Sequence, residues 1–203
     1  MKIALPFLTI LLSTFSSIPT FAVEKQGWFV GASYAFQDIS TDLVDEPRLD
    51  TLGIIAGYQI DDIFSFEYRL NTSISTDSVA LPVTANFDAD LAHEIDYQMS
   101  FLAKAAYKIS RNFVIYGLAG ITTTKSHITI HSTEYDFQGN EINTRVENYA
   151  EMTDGFTYGV GTSYQLTRDI SLFIDYQVLP DFEDGSVLNA DWSTTTAGFT
   201  YLF

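Results

Sequence analysis

From residue 27 onward the chain alternates between two kinds of side chain, and no long segment carries apolar residues at i, i+3, i+4 and i+7. Period two is the signature of strands with two unlike faces. Gly27 through Phe36 puts Trp28, Val30, Ala32, Tyr34 and Phe36 on one face and Phe29, Gly31, Ser33 and Ala35 on the other. A second strand at about 51–60 opposes Leu52, Ile54, Ala56, Tyr58 and Ile60 to Gly53, Ile55, Gly57 and Gln59. A third, about 63–72, sets Phe64, Phe66, Tyr68 and Leu70 against Ser65, Glu67, Arg69 and Asn71. The fourth, about 94–108, sets Ile95, Tyr97, Met99, Phe101, Ala103, Ala105 and Tyr107 against Asp96, Gln98, Ser100, Leu102, Lys104, Ala106 and Lys108. The fifth, about 113–123, is the least clear in phase; Phe113, Ile115, Gly117, Ala119 and Ile121 are expected outward. Strands at about 153–166, 170–179 and 190–203 complete a set of eight, the last with Ala197, Phe199, Tyr201 and Phe203 outward.

The connections alternate in length. Short turns fall at Asp61-Asp62, Ser110-Arg111-Asn112 and Thr167-Arg168-Asp169, and longer segments at about 37–50, 73–93, 124–152 and 180–189. Short turns at one end and long loops at the other are the habit of barrels that span an outer membrane. Ile128 and Ile130, in the third long segment, predict that its flanking strands run on as a hairpin above the bilayer.

The two faces differ in a way that separates lipid from lumen. One is apolar and aromatic throughout; the other mixes Gly, Ser, Thr and Gln with isolated charges. About eight strands leave an interior wide enough only for side chains, which suits the second face. Lys or Arg on the first face at mid-bilayer would cost about 2–4 kcal/mol, and none stands there. Trp28, Phe36, Tyr58, Phe64, Tyr107, Phe113, Tyr164, Tyr176, Trp192 and Phe203, near strand ends, are expected in the interfacial girdles. The expected fold is therefore all-β: a closed, antiparallel, up-and-down transmembrane barrel of eight strands, multi-pass in the outer membrane.

Residues 1–22 read as a secretory signal. Lys2 gives the positive start, Ile3 to Leu12 the apolar run, and Thr20-Phe21-Ala22 the small-residue cleavage site, leaving a single barrel domain over 23–203. The chain has no cysteine, so it cannot rely on the disulfides common in exported domains. A formal charge of -16, from 10 basic and 26 acidic residues, argues against a nucleic-acid partner, whose phosphates call for Lys and Arg.

Three runs carry a family resemblance. Gly27-Trp28-Phe29-Val30-Gly31 opens the barrel, Gly155-Phe156-Thr157-Tyr158-Gly159-Val160-Gly161 forms the sixth strand, and Ala197-Gly198-Phe199-Thr200-Tyr201-Leu202-Phe203 ends the chain. With these the chain resembles the small outer-membrane barrels of the OmpA/OmpX type over essentially all of 26–203, without a peptidoglycan-binding domain. The resemblance implies a monomer in contact with outer-membrane lipid and lipopolysaccharide. It also implies an assembly signal at Phe199, Tyr201 and Phe203, read by the barrel-assembly machinery. It implies as well that Glu67, Arg69, Lys104 and Asp175 form a polar network inside the lumen.

That network admits two readings, a satisfied polar core or a gated ion path, and the core is favoured because buried charges must pair. His93, His127 and His131, with Ser126, Ser132 and Glu134 nearby, raise a hydrolase reading like that of barrels that trim lipid A. His131 and Ser132 would point to opposite sides of a strand, however, and the lipid A deacylase run His-any-Ser-Asn-Ala is missing. No cofactor, catalytic set or metal-ligand spacing emerges. The loop carboxylates (Asp38, Asp42, Asp45, Glu46 and Asp50 in the first loop, comparable groups in the others) read as a solvated, repulsive surface rather than a cation site. The expected role is structural and surface-interacting, not enzymatic; a small ion or solute channel is the alternative, and a lipid A-modifying enzyme is less favoured.

Overall fold

The computed structural model describes residues 26–40, 48–75, 77–81, 87–136, 138, 141–180 and 191–203. The expected signal segment lies outside them. The described residues hold no helix and nine strands: β1 (Gly27–Ser40), β2 (Arg48–Gln59), β3 (Phe64–Ser73), β4 (Asp77–Leu81), β5 (Phe87–Lys108), β6 (Phe113–Tyr135), β7 (Glu141–Gln165), β8 (Ile170–Val178) and β9 (Asp191–Leu202).

Eight of them close on themselves. Each strand pairs antiparallel with its neighbour, β3 pairs with β5, and β9 returns to β1 over Phe29↔Leu202 to Ser40↔Asp191. β4 stands outside the ring and pairs only with β5, above the point where β3 leaves it. Closure leaves no open edge in the spanning region, which is the condition lipid imposes on a sheet.

The register fixes the barrel's shape. From Gly27 the ladder steps through Gln59, Ser65, Lys104, Leu118, Gly159, Gln177 and Thr194 and rejoins β1 at Gln37, ten residues farther on (37 − 27). Eight strands with that stagger tilt by about 40° and leave a lumen that side chains fill.

The outward set is the expected one over most of the wall. Trp28, Ile54, Phe66, Phe101, Ile121, Phe156, Val160, Ile174 and Phe199 are all exposed, and the uncertain fifth strand (β6) has the phase expected of it, with Tyr116 and Leu118 buried. So many large apolar groups in one continuous band would be intolerable in water. Outward charges appear at its upper limit, among them Asp50, Lys125 and Asp154.

Two expectations need correction. Ile95 was expected to face out but is fully buried. A register shift between Ile95 and Tyr97 makes Asp96 the extra residue of a β-bulge, so alternation reverses above it. Trp192, expected in a girdle, is 1% exposed and lies in the lumen, where the parity of β9 puts it. The second long segment holds more strand than expected, β5 beginning at Phe87, while the third forms the raised hairpin that Ile128 and Ile130 lead one to expect, with β6 running to Tyr135 and β7 starting at Glu141. From Lys125 to Tyr135 it adds roughly 35 Å of strand.

Candidate functional site

The interior is stacked in layers, each traceable to the inward residues of particular strands. At the periplasmic end, aromatic rings lie across glycines of the next strand. Phe29 packs over its partner Gly57, Tyr116 over Gly161 and Phe173 over Gly198. A glycine presents bare backbone, so a flat ring can settle where two Cβ atoms would collide. Beneath these rings, a cavity of about 150 Å³ opens at the mouth, lined by Gln59, Lys104, Ala106, Tyr116, Ser171 and Leu202 among others.

Above it lies the charged layer. Arg69 is its centre: Nη1 and Nη2 donate to Asp175 Oδ1 and Oδ2 at 3.1 and 2.8 Å, and Nη2 also reaches Glu67 Oε1 at 3.2 Å. Lys104 Nζ sits 2.9 Å from the same Glu67 oxygen and 4.2 Å from the centre of the Tyr116 ring. Tyr116 and Gln177 each donate to Asp175 at 2.9 Å. Glu67, Arg69 and Asp175 are at most 2% exposed. Two cations and two anions cancel, and the two-toothed Arg–Asp contact is the geometry that best offsets desolvation. All four residues singled out from the sequence thus stand in one cluster.

Sequence reading missed the partners that complete it, Tyr116, Phe173 and Gln177. Their inward parity was readable; that the Phe173 ring lies 5.3 Å from the Arg69 guanidinium and that Tyr116 and Gln177 donate to its partner Asp175 was not. The next layer is neutral. Gln37 and Gln98 exchange hydrogen bonds across the barrel at 3.3 and 3.4 Å, Gln98 reaches Thr124 at 3.2 Å, and Ser100 and Thr122 pair at 2.8 Å. At the extracellular end Leu49, Ile95, Leu179 and Trp192 meet in one buried apolar cluster.

Among the described residues, His127 and His131 are not brought together with a serine and an orienting acid. His127 Nδ1 lies 2.7 Å from Asp96 Oδ1, and Lys125 Nζ lies 3.1 Å from Asp96 Oδ2, while Ser126 is buried on the opposite face of the strand. His131 is exposed and Ser132 donates to the Arg145 carbonyl. The His93 side chain lies outside what is described, as do Asp42, Asp45 and Glu46. Among the described residues no group of three or more metal-ligating side chains occurs.

Asp96 sits above the apolar band, and the His127 hydrogen bond holds its carboxyl below the usual range. A group with a lowered folded value contributes stability above its unfolded value and loses it as pH falls through the folded one. The carboxylate's contribution to the clamp on the bulge should therefore be lost in acid. A carbon-detected NMR titration of Asp96 in micelles should show a midpoint below 3.8, moving up toward that value in His127→Ala; identical midpoints would contradict the assignment of cause.

Comparison with known proteins places this architecture. A family model described as "Outer membrane protein beta-barrel domain" matches residues 8–203. No curated protein sequence matches. Among solved structures, the chain is similar to Ail, the attachment invasion locus protein of Yersinia pestis, with 16% identity, 88% of this chain and 99% of that one covered, and a TM-score of 0.50. It is similar to Neisserial surface protein A, with 18% identity, 87% and 97% coverage and a TM-score of 0.52. It is also similar to OprG of Pseudomonas aeruginosa, with 16% identity, 88% and 97% coverage and a TM-score of 0.52. At such identities the likeness is one of fold.

Proposed function

Because the chain belongs to the outer-membrane β-barrel domain family and so resides in the outer membrane, we propose that it serves as a non-enzymatic envelope protein that anchors a raised, acidic surface structure. The observation that carries this reading is the contrast between the two ends of the molecule. The lumen is packed through its charged and amide layers, whereas β5, β6 and β7 lift polar and acidic side chains beyond the lipid. Exposed Ile142, Val146, Tyr149 and Met152 on the same hairpin give it contact area as well as charge. In planar bilayers the purified protein should give no stable current. Cells lacking the protein should lose adhesion or ligand capture that a chain with the 126–151 hairpin shortened fails to restore. Discrete openings from the wild type, or full rescue by the shortened chain, would reject the reading.

A small ion path is the second reading, favoured by the periplasmic cavity that reaches the Lys104 amine. It requires openings that change when Glu67 or Lys104 is neutralised.

The partners follow from the same placement. The apolar band faces lipid, and the raised strands stand among lipopolysaccharide headgroups and sugars. The protein acts as a monomer. Phe199 and Tyr201, exposed on β9, with terminal Phe203, form the assembly signal. Deleting Phe203 should lower the heat-modifiable, folded fraction in cells several-fold while leaving refolding in detergent unchanged; unaltered folding in cells would count against the signal.

A further inference from the structure

The apolar cluster beneath the extracellular rim is more than local packing. Its members come from β2 (Leu49), β5 (Ile95), the residue following β8 (Leu179) and β9 (Trp192), so side chains from well-separated parts of the wall meet across the lumen. None is more than 3% exposed, and the neighbouring inward residues Gln37, Thr51, Thr124 and Ser126 are buried as well. The opposite end differs: the cavity there is open to the periplasm and ends at Lys104, which keeps 16% of its side-chain surface.

The fourth member of the cluster owes its place to a defect in the strand. With unbroken alternation Ile95 would share the outward face of Tyr97 and Met99; the extra residue Asp96 turns it inward. The bulge is held from the outer surface, where His127 and Lys125 grip the Asp96 carboxylate and Thr72 Oγ1 donates to its carbonyl at 2.9 Å. A bulge so fixed is a means of re-aiming one side chain.

We infer that the lumen is a blind vestibule, wetted from the periplasm as far as Lys104 and sealed from the exterior by an apolar plug of Leu49, Ile95, Leu179 and Trp192 that the Asp96 bulge completes. Apolar constrictions exclude ions by excluding the water that would carry them. The seal rests on the closed-lumen reading above and adds a second closure, at the rim, that keeps the exterior from the layers beneath it. Lys104, at the lower edge of the charged layer, consequently meets water from one compartment only.

The absence of cysteine makes the test direct, because one introduced thiol is the sole reporter. Ala106→Cys marks the vestibule and Thr122→Cys the hydroxyl layer under the plug. In lipid nanodiscs, a small charged methanethiosulfonate should modify Ala106→Cys and leave Thr122→Cys untouched. Adding Trp192→Ala should raise modification of Thr122→Cys at least tenfold and leave Ala106→Cys as before. Deleting Asp96, which restores alternation and turns Ile95 out, should do the same; if that chain does not fold, Ile95→Ser takes its place. Modification of Thr122→Cys behind an intact plug, or protection of it after plug removal, overturns the inference. Bilayer currents separate the two levels: openings from the wild type reject the closed-lumen reading, whereas a silent wild type with an accessible Thr122→Cys rejects only the plug.

Discussion

Arg69→Glu should be the most damaging single substitution in the barrel wall. It removes the cation between Glu67 and Asp175 and adds a third carboxylate to a cluster almost closed to water, with Lys104 as the only remaining cation. Removing one partner of a buried pair commonly destabilises by about 3–5 kcal/mol, because the other charge is left unpaired. Reversal should reach at least that, to the point that no folded band survives in micelles. Urea unfolding in lipid gives the measure, with Glu141→Gln, an exposed hairpin change, as the control expected to stay within about 0.5 kcal/mol. Equal shifts would contradict the account. A sharper form is the pair Arg69→Met and Asp175→Leu. Each alone strands a charge, whereas together they leave the Glu67–Lys104 contact intact, so the double variant should be more stable than the sum of the singles predicts, by about 0.5–3 kcal/mol of coupling.

The second large effect is expected at Gly161. A Cβ there would lie 2.5 Å from Asp175 Cβ and 2.6 Å from the Tyr116 ring, and neither can withdraw easily. Tyr116 is tied by its hydroxyl to Asp175 and covered on its face by Lys104, and Asp175 is tied to Arg69. Gly161→Val should therefore destabilise by about 1–3 kcal/mol from overpacking alone, with more from the strained network. Gly117 is the natural contrast. It faces outward, and the nearest atom to an added Cβ is the Gly159 carbonyl oxygen at 3.9 Å, so Gly117→Ala should be neutral or stabilising by about 0.4–1 kcal/mol. If both glycines tolerate substitution alike, the ring-over-glycine packing does not hold the lumen together.

These contrasts also mark what the sequence made legible. Alternation is a local property, so strand identity, facing and the inward position of Glu67, Arg69, Lys104 and Asp175 could be read wherever the ladder is regular. It failed at Ile95 because a bulge leaves no compositional mark: Asp96 fits the polar series as well as any inward residue would. β4 falls within a long connection because its five residues pair with β5 outside the ring and are too few for alternation to mark them. Trp192 has the residue type of a girdle but the parity of the lumen, and parity prevails. The contacts across the lumen were the least accessible. Arg69 and Asp175 are 106 positions apart, and only the stagger of the closed sheet brings them level.

The seam between β1 and β9 has a consequence for how the protein is made. The earliest barrel strand to be synthesised has its second neighbour at the far end of the sequence, so every shorter nascent chain carries a naked, aggregation-prone edge. Topologies built on such distant contacts fold slowly. An unclosed chain therefore has to stay apart from its fellows until β9 is in place, and a premature stop codon anywhere before β9 should yield a substrate for proteolysis rather than a smaller working barrel.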